Sequence, residues 1–289
     1  MLLVTAVFLR LLSNSLGNVY QKKLTITGCN PILITTVTYL LLTASCVPFI
    51  LLYGIGHPKG DFYFYAVIMG LLGAIGNGFL VKAFKDGEMS VLGPINSYKS
   101  IMGLILACVL LHEYPSLSGL VGIVLIIAGS YFVLDTLPER FSFSLLKNKQ
   151  IQYRFLALIF CSFEAVAIKK LILISSVWDT FAAWCFFGAL FSLVLLRLEK
   201  IDLANQLEVF KTRNFSFFIN IVICIGIMQF TTNYLFAKMN VAYALALFQL
   251  STIFSVFFGK MFFNEKNILK KFWGALIMCL GAILIVLYS

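Results

Sequence analysis

Ten apolar stretches, each close to the length needed to cross a bilayer, follow one another along this chain with little room between them. They cover residues 2–20, 31–53, 62–84, 89–111, 116–134, 155–174, 178–196, 215–233, 241–263 and 272–288. About 20 helical residues span a hydrocarbon core of about 30 Å. The core offers the backbone no water, so runs of this length must satisfy their own hydrogen bonds as helices. Connectors as short as 85–88 and 112–115 force neighbouring helices to run antiparallel. The composition agrees: 61% of the residues are hydrophobic and 12% are charged, against about 45–50% and about 25% in a soluble domain. These features predict an all-α membrane protein with ten transmembrane helices. It is expected to be an integral, multi-pass protein of the cell membrane, or of the inner membrane in a bacterium, with lipid as its surroundings. Residues 1–9 lack a cationic start and a small-residue cleavage site, and they read as the opening of the first helix rather than a signal peptide.

Several function classes find no support. The net charge of +10 comes from short basic clusters between apolar runs, as in membrane-protein loops, and not from a continuous stripe that would bind nucleic acid. The cysteines at 29, 46, 108, 161, 185, 224 and 279 form no CxxC pair. They predict neither a metal site nor a disulfide framework. The two histidines, His57 and His112, fall in connectors. No phosphate loop, zinc-protease motif or nucleophile elbow appears. The chain is therefore not expected to be an enzyme or to carry a cofactor.

The sequence repeats itself. LLHEYPSLSGLVGIVLIIAGSYFVL around the fifth segment matches FFNEKNILKKFWGALIMCLGAILIVL around the tenth. Aligning Glu113 with Glu265 places Gly122 on Gly274 and Gly129 on Gly281. A looser match sets SLGNVYQKKL against SFEAVAIKKL, so Lys22 and Lys23 meet Lys169 and Lys170. The chain thus divides into residues 1–135, a connector over 136–154, and residues 155–289, with five helices in each half. An odd number of helices makes the second half enter the membrane from the opposite side, giving two inverted five-helix repeats. That plan places a solute site near the midplane between the halves. The glycine pairs lie two helical turns apart on one face, where small residues let backbones approach. Glu113 and Glu265, at tight turns, suit helix capping or an interfacial ion pair.

The chain resembles the drug/metabolite transporter superfamily in its ten-helix EamA-like branch. The duplicated Glu-then-Gly-x6-Gly endings and the Lys-Lys pairs carry that resemblance. It implies a secondary transporter, often an exporter, of amino acids, other metabolites, nucleotide sugars or drugs. It also implies cytoplasmic termini, whereas a charge count points the other way: connectors after odd-numbered helices hold 14 Lys and Arg and those after even-numbered helices hold 4. In inverted halves Lys22 and Lys169 must lie on opposite sides, so at least one serves something other than orientation.

Charges within a spanning helix cost about 2.5–3.5 kcal/mol each on the insertion scale and mark functional candidates. Arg10, Asn14 and Asn18 form a polar stripe on the first helix that should face the bundle interior. Pro94 removes a backbone hydrogen bond in the fourth helix, beside Asn96, Tyr98 and Lys99. The matching stretch of the ninth helix offers Gln249. These residues are the expected cavity wall, with Lys99 suited to an anionic group. Glu164 in the sixth helix is a candidate for proton coupling, or alternatively a static ion-pair partner of Arg10 or Lys99. This balance suits an anionic or zwitterionic solute, first an amino acid or related metabolite, moved by alternating access. A flippase for a lipid-linked substrate and a non-transporting structural or sensor subunit are the rival expectations. Nothing in the sequence requires a partner chain, so a monomer would suffice.

Overall fold

The computed structural model describes residues 2–54, 56, 60–102, 116–137, 147–201, 215–239 and 241–288. Glu113, Cys108, His57 and His112 lie outside them. The described residues form no strand, and eleven helices lie wholly within them: α1 (Leu2–Ile26), α2 (Pro31–Tyr53), α3 (Asp61–Asp86), α4 (Met89–Ile95), α5 (Leu117–Leu134), α6 (Lys149–Ile174), α7 (Val177–Leu198), α8 (Phe215–Lys238), α9 (Val241–Gln249), α10 (Ser251–Phe263) and α11 (Ile268–Tyr288). Eight helical stretches are long and apolar enough to cross a membrane, with α9 and α10 together supplying one of them. Large apolar side chains such as Leu51, Leu117 and Phe64 stand on the outer surface, where lipid is the favourable solvent.

Local chemistry sets the helix starts. Asn30 caps α2, accepting from the Ile32 amide at 2.8 Å ahead of Pro31 at the first helical position. Ser116, Asn148 and Ser176 cap α5, α6 and α7 in the same way. The helix carrying Glu164 begins at Lys149 rather than at 155, so Arg154, read from sequence as a connector charge, lies inside it.

The main packing partners come from opposite halves: α5 with α11, α3 with α6, α1 with α8, α2 with α7 and α4 with α10. One apolar cluster gathers residues of the first three helices with α6, α7 and α8, including Tyr39, Trp184, Phe218 and Phe236. A second joins α4, α5, α10 and α11 through Leu92, Ile126, Phe258 and Met278. Where α5 crosses α11, a Cβ added at Gly122 would stand 2.6 Å from the Gly281 carbonyl oxygen. One added at Gly129 would stand 2.6 Å from that of Gly274. Gly122 meets Gly281, and Gly129 meets Gly274, so the two helices run antiparallel. Equivalent helices of inverted halves must pack this way across a pseudo-twofold axis.

The fourth and ninth segments are both interrupted. After α4 the chain turns at residues 96–97 and resumes a helix at 98–102. At the other break Leu250 separates α9 from α10. In the first break the Asn96 amide bonds to Gly93 O at 3.0 Å and so leaves Leu92 O without its usual helical donor. In the second, the Ile253 amide bonds to Leu250 O at 3.2 Å and frees Gln249 O. Pro94 accompanies the first break. Its second-half equivalent is Ala246, so proline is not required for the second.

Candidate functional site

The two breaks face each other across the pseudo-twofold axis, and side chains complete what the backbone gives up. Arg154 Nε donates to Leu92 O at 2.8 Å, and its Nη2 to Asn96 Oδ1 at 2.9 Å. Asn96 Nδ2 donates to Gln249 Oε1 at 3.1 Å, and Gln249 Nε2 to Leu245 O at 3.0 Å. Cys279 Sγ lies 3.3 Å from the freed Gln249 O. A continuous polar string thus runs from the first half into the second, at the depth where both helices are open.

Beside this string lies a cavity of about 120 Å³. Arg10, Asn14 and Asn18 line it from α1, so the polar stripe faces the bundle interior. Phe248 covers one face of the Arg10 guanidinium, whose Cζ is 3.8 Å from the ring centroid, and Arg10 Nε points at Thr232 Oγ1 at 3.4 Å. Asn14 Nδ2 donates to Ser251 Oγ at 3.4 Å. Asn96, Lys99, Gln249 and Glu164 also line the cavity. Tyr98 does not: its hydroxyl donates to Ser130 Oγ at 2.8 Å and its ring meets Phe155. Adjacent positions on a helix point to different sides, and Tyr98 takes the side turned towards α5. The Ser97 and Ser100 hydroxyls are buried with no partner among the described residues.

Glu164 has no cation within ion-pair distance among the described residues, although the Lys99 charge reaches it. Its Oε1 accepts from Trp184 Nε1 at 2.7 Å. Trp184 is 2% exposed and packs against Tyr39, with ring centroids 4.6 Å apart. Asn77 Nδ2 donates to the Tyr39 hydroxyl at 2.9 Å. Gly73 provides the space, because a Cβ there would collide with Glu164 Oε1 and stand 3.2 Å from the Tyr39 hydroxyl. Among the described residues four ion pairs occur, and none involves Arg10, Lys99, Arg154 or Glu164. The cavity wall therefore carries three cations and one carboxylate, a formal balance of 3 − 1 = +2. Arg154 also lines the cavity and was not among the expected wall residues. Arg154 shared a helical face with Leu158 and Cys161, a signal hidden because an apolar run was taken to end at the charge.

One end of the bundle is tied shut by ions. Lys22 Nζ lies 2.8 Å from Glu265 Oε1, with both side chains nearly buried. Glu265 also accepts from the Met89 and Ser90 amides, each at 2.8 Å, and from the Ser90 hydroxyl, capping α4. Asn264, in the left-handed conformation at φ 52°, ends α10 and turns Glu265 inward. Lys271 pairs with Glu88, Lys82 with Glu199, and Lys270 with Asp135 at 2.5 Å. Burial alone would raise the Glu265 pKa. The Lys22 charge and the hydrogen bonds from Lys22 and Ser90 outweigh it and hold the carboxyl below the usual range. Lys22 thus has a structural task beyond orientation. Its equivalent Lys169 instead donates to the carbonyls of Phe236 and, at 3.4 Å, Met239.

Two like halves, packed crosswise around a charged cavity at paired helix breaks, define a polytopic membrane protein built as transporters are. The EamA-like transporter family model matches residues 1–135 and again residues 149–287. The chain belongs to that family, within the drug/metabolite transporter superfamily. A solved crystal structure superposes on it with a TM-score of 0.67, covering 98% of this chain and 95% of the other at 13% identity. At that identity the likeness speaks for the fold. No curated protein matches the sequence.

Proposed function

We propose that this protein is a secondary transporter that exports a small anionic or zwitterionic metabolite, an amino acid or a close relative, by alternating access. The observation that carries this reading is the cavity between the halves, where three cationic groups meet one carboxylate beside two broken helices. Charges are expensive to keep inside a membrane bundle. Arg10 and Lys99 have no carboxylate within ion-pair distance among the described residues, so a passing anion supplies what the protein withholds. Arg10, Asn14, Asn18, Asn96, Lys99 and Gln249 form the wall that meets the solute. Glu164, held by Trp184 and free of a direct cation, is the group we assign to proton exchange. The ion-pair cluster around Glu265 ties the halves at one end, and a transport cycle releases it as the halves rock.

Counterflow in proteoliposomes tests this. Vesicles preloaded with a mixed pool of amino acids and organic acids should exchange one chemical class, and Lys99→Ala should abolish that exchange. An imposed proton gradient should drive net movement in the wild type and fail to drive it in Glu164→Gln. Absence of any exchange by a monodisperse, helical protein would reject the reading.

A further inference from the structure

The charged groups of the cavity define the solute more closely than "anionic or zwitterionic". Arg154 is already committed, to Leu92 O and to the Asn96 side chain. Arg10 is held by Phe248 on one face and directs Nε towards Thr232, which leaves the edge bearing its terminal nitrogens for a carboxylate. A guanidinium edge suits an oxyanion because two parallel N–H groups meet its two oxygens. Lys99 lines the same cavity and makes no hydrogen bond or ion pair among the described residues. Glu164 receives the Trp184 N–H on one oxygen and has no ammonium or guanidinium within ion-pair distance among those residues. Arg10 and Lys99 thus have no ion-paired anion among the described residues, and Glu164, although within reach of the Lys99 charge, has no ion-paired cation. Arg10, Lys99 and Glu164 line one cavity of about 120 Å³, so a single compact solute can meet all three.

Resting on the proposed transport reading, we infer that the solute is a small amino acid with a second anionic group, as in an acidic α-amino acid. Its two anionic groups meet Arg10 and Lys99, and its ammonium meets Glu164. A neutral amino acid leaves one cation unmatched. A dicarboxylate without an amine sets negative charge in the cavity with nothing to answer Glu164. Discrimination comes from desolvated charges left without partners, which a site rejects far more strongly than a missing methylene.

Counterflow with matched pairs is the test. Labelled L-glutamate and L-aspartate are compared with L-glutamine, L-asparagine and glutarate in the same vesicles. We expect the acidic amino acids to exchange at least about tenfold faster than their amides and than glutarate. In Lys99→Gln the glutamate-to-glutamine ratio should fall towards one, and in Glu164→Gln the glutamate-to-glutarate ratio should do the same. Each ratio is taken within one preparation, so partial loss of folded protein does not imitate the result. Exchange of glutamine as fast as glutamate, or of a different class altogether, overturns this inference and leaves the transport reading standing. No exchange of any solute, in this set or in the mixed pool, overturns both.

Discussion

Glu265 shows how one residue can hold a membrane bundle together. Its carboxylate joins a lysine of α1 to the start of α4 from the turn after α10. Removing one member of a buried pair leaves the other charge without compensation, at a cost of about 3–5 kcal/mol. Lys22→Met and Glu265→Gln should each lower the melting temperature in detergent clearly. Lys270→Met, whose ion pair with Asp135 is partly exposed, should change it little. The pH dependence follows in sign. The Glu265 carboxyl is held below its ordinary value of 4.5, so its contribution is fully present above that pH. It is lost as pH falls through the lower folded-state value. In Glu265→Gln this acid-side loss should be absent from melting curves recorded across that range. At Gly73 the issue is space. A methyl group there presses on Glu164 and the Tyr39 hydroxyl, so Gly73→Ala should impair proton-driven transport more than it lowers the melting temperature.

At the scale of elements, the decisive features are the crossing of α5 with α11 and the paired breaks. The four glycines at the crossing touch backbone, which cannot swing aside as a flexible side chain can. Gly129→Ala or Gly281→Ala should therefore cost about 1–3 kcal/mol, read as a fall in thermal stability. Gly60→Ala meets no atom within 4 Å and serves as the neutral control. The glycine spacing was visible in the sequence because the motif occurs twice, and its packing role followed from the spacing. The two breaks differed in legibility. Pro94 announced the first, while the second rests on hydrogen bonds from Gln249 and Cys279 that no local residue pattern signals. Arg154 was hidden for a related reason: α6 is not among the helices apolar enough to cross a membrane by composition, so its start was read too late. Reading by hydropathy loses the edge of a helix where function places charge. Arg154→Leu should leave Leu92 O and Asn96 without their donor, at about 1–3 kcal/mol. The loss is measurable as a lowered melting temperature alongside impaired exchange.

The whole molecule is two halves that bury their faces against each other more than within themselves. Repetition in the sequence foretold the two halves that the family model matches. The polar stripe of α1 foretold which side of that helix turns inward, because lipid tolerates no such stripe. Charge balance in the cavity was less legible, since it depends on which side chains share one space after folding. Tyr98 and Lys99 are neighbours in sequence, yet they face different parts of the fold. The central claim is that this shared space is the solute's path, opened alternately to the two sides of the membrane. The most direct measurement is thiol labelling of Asn14→Cys, with all seven native cysteines replaced, in vesicles of both orientations. The account predicts labelling by a membrane-impermeant reagent from each side, slowed from both by the transported solute. Labelling from neither side, or from one side only with no effect of solute, would contradict it.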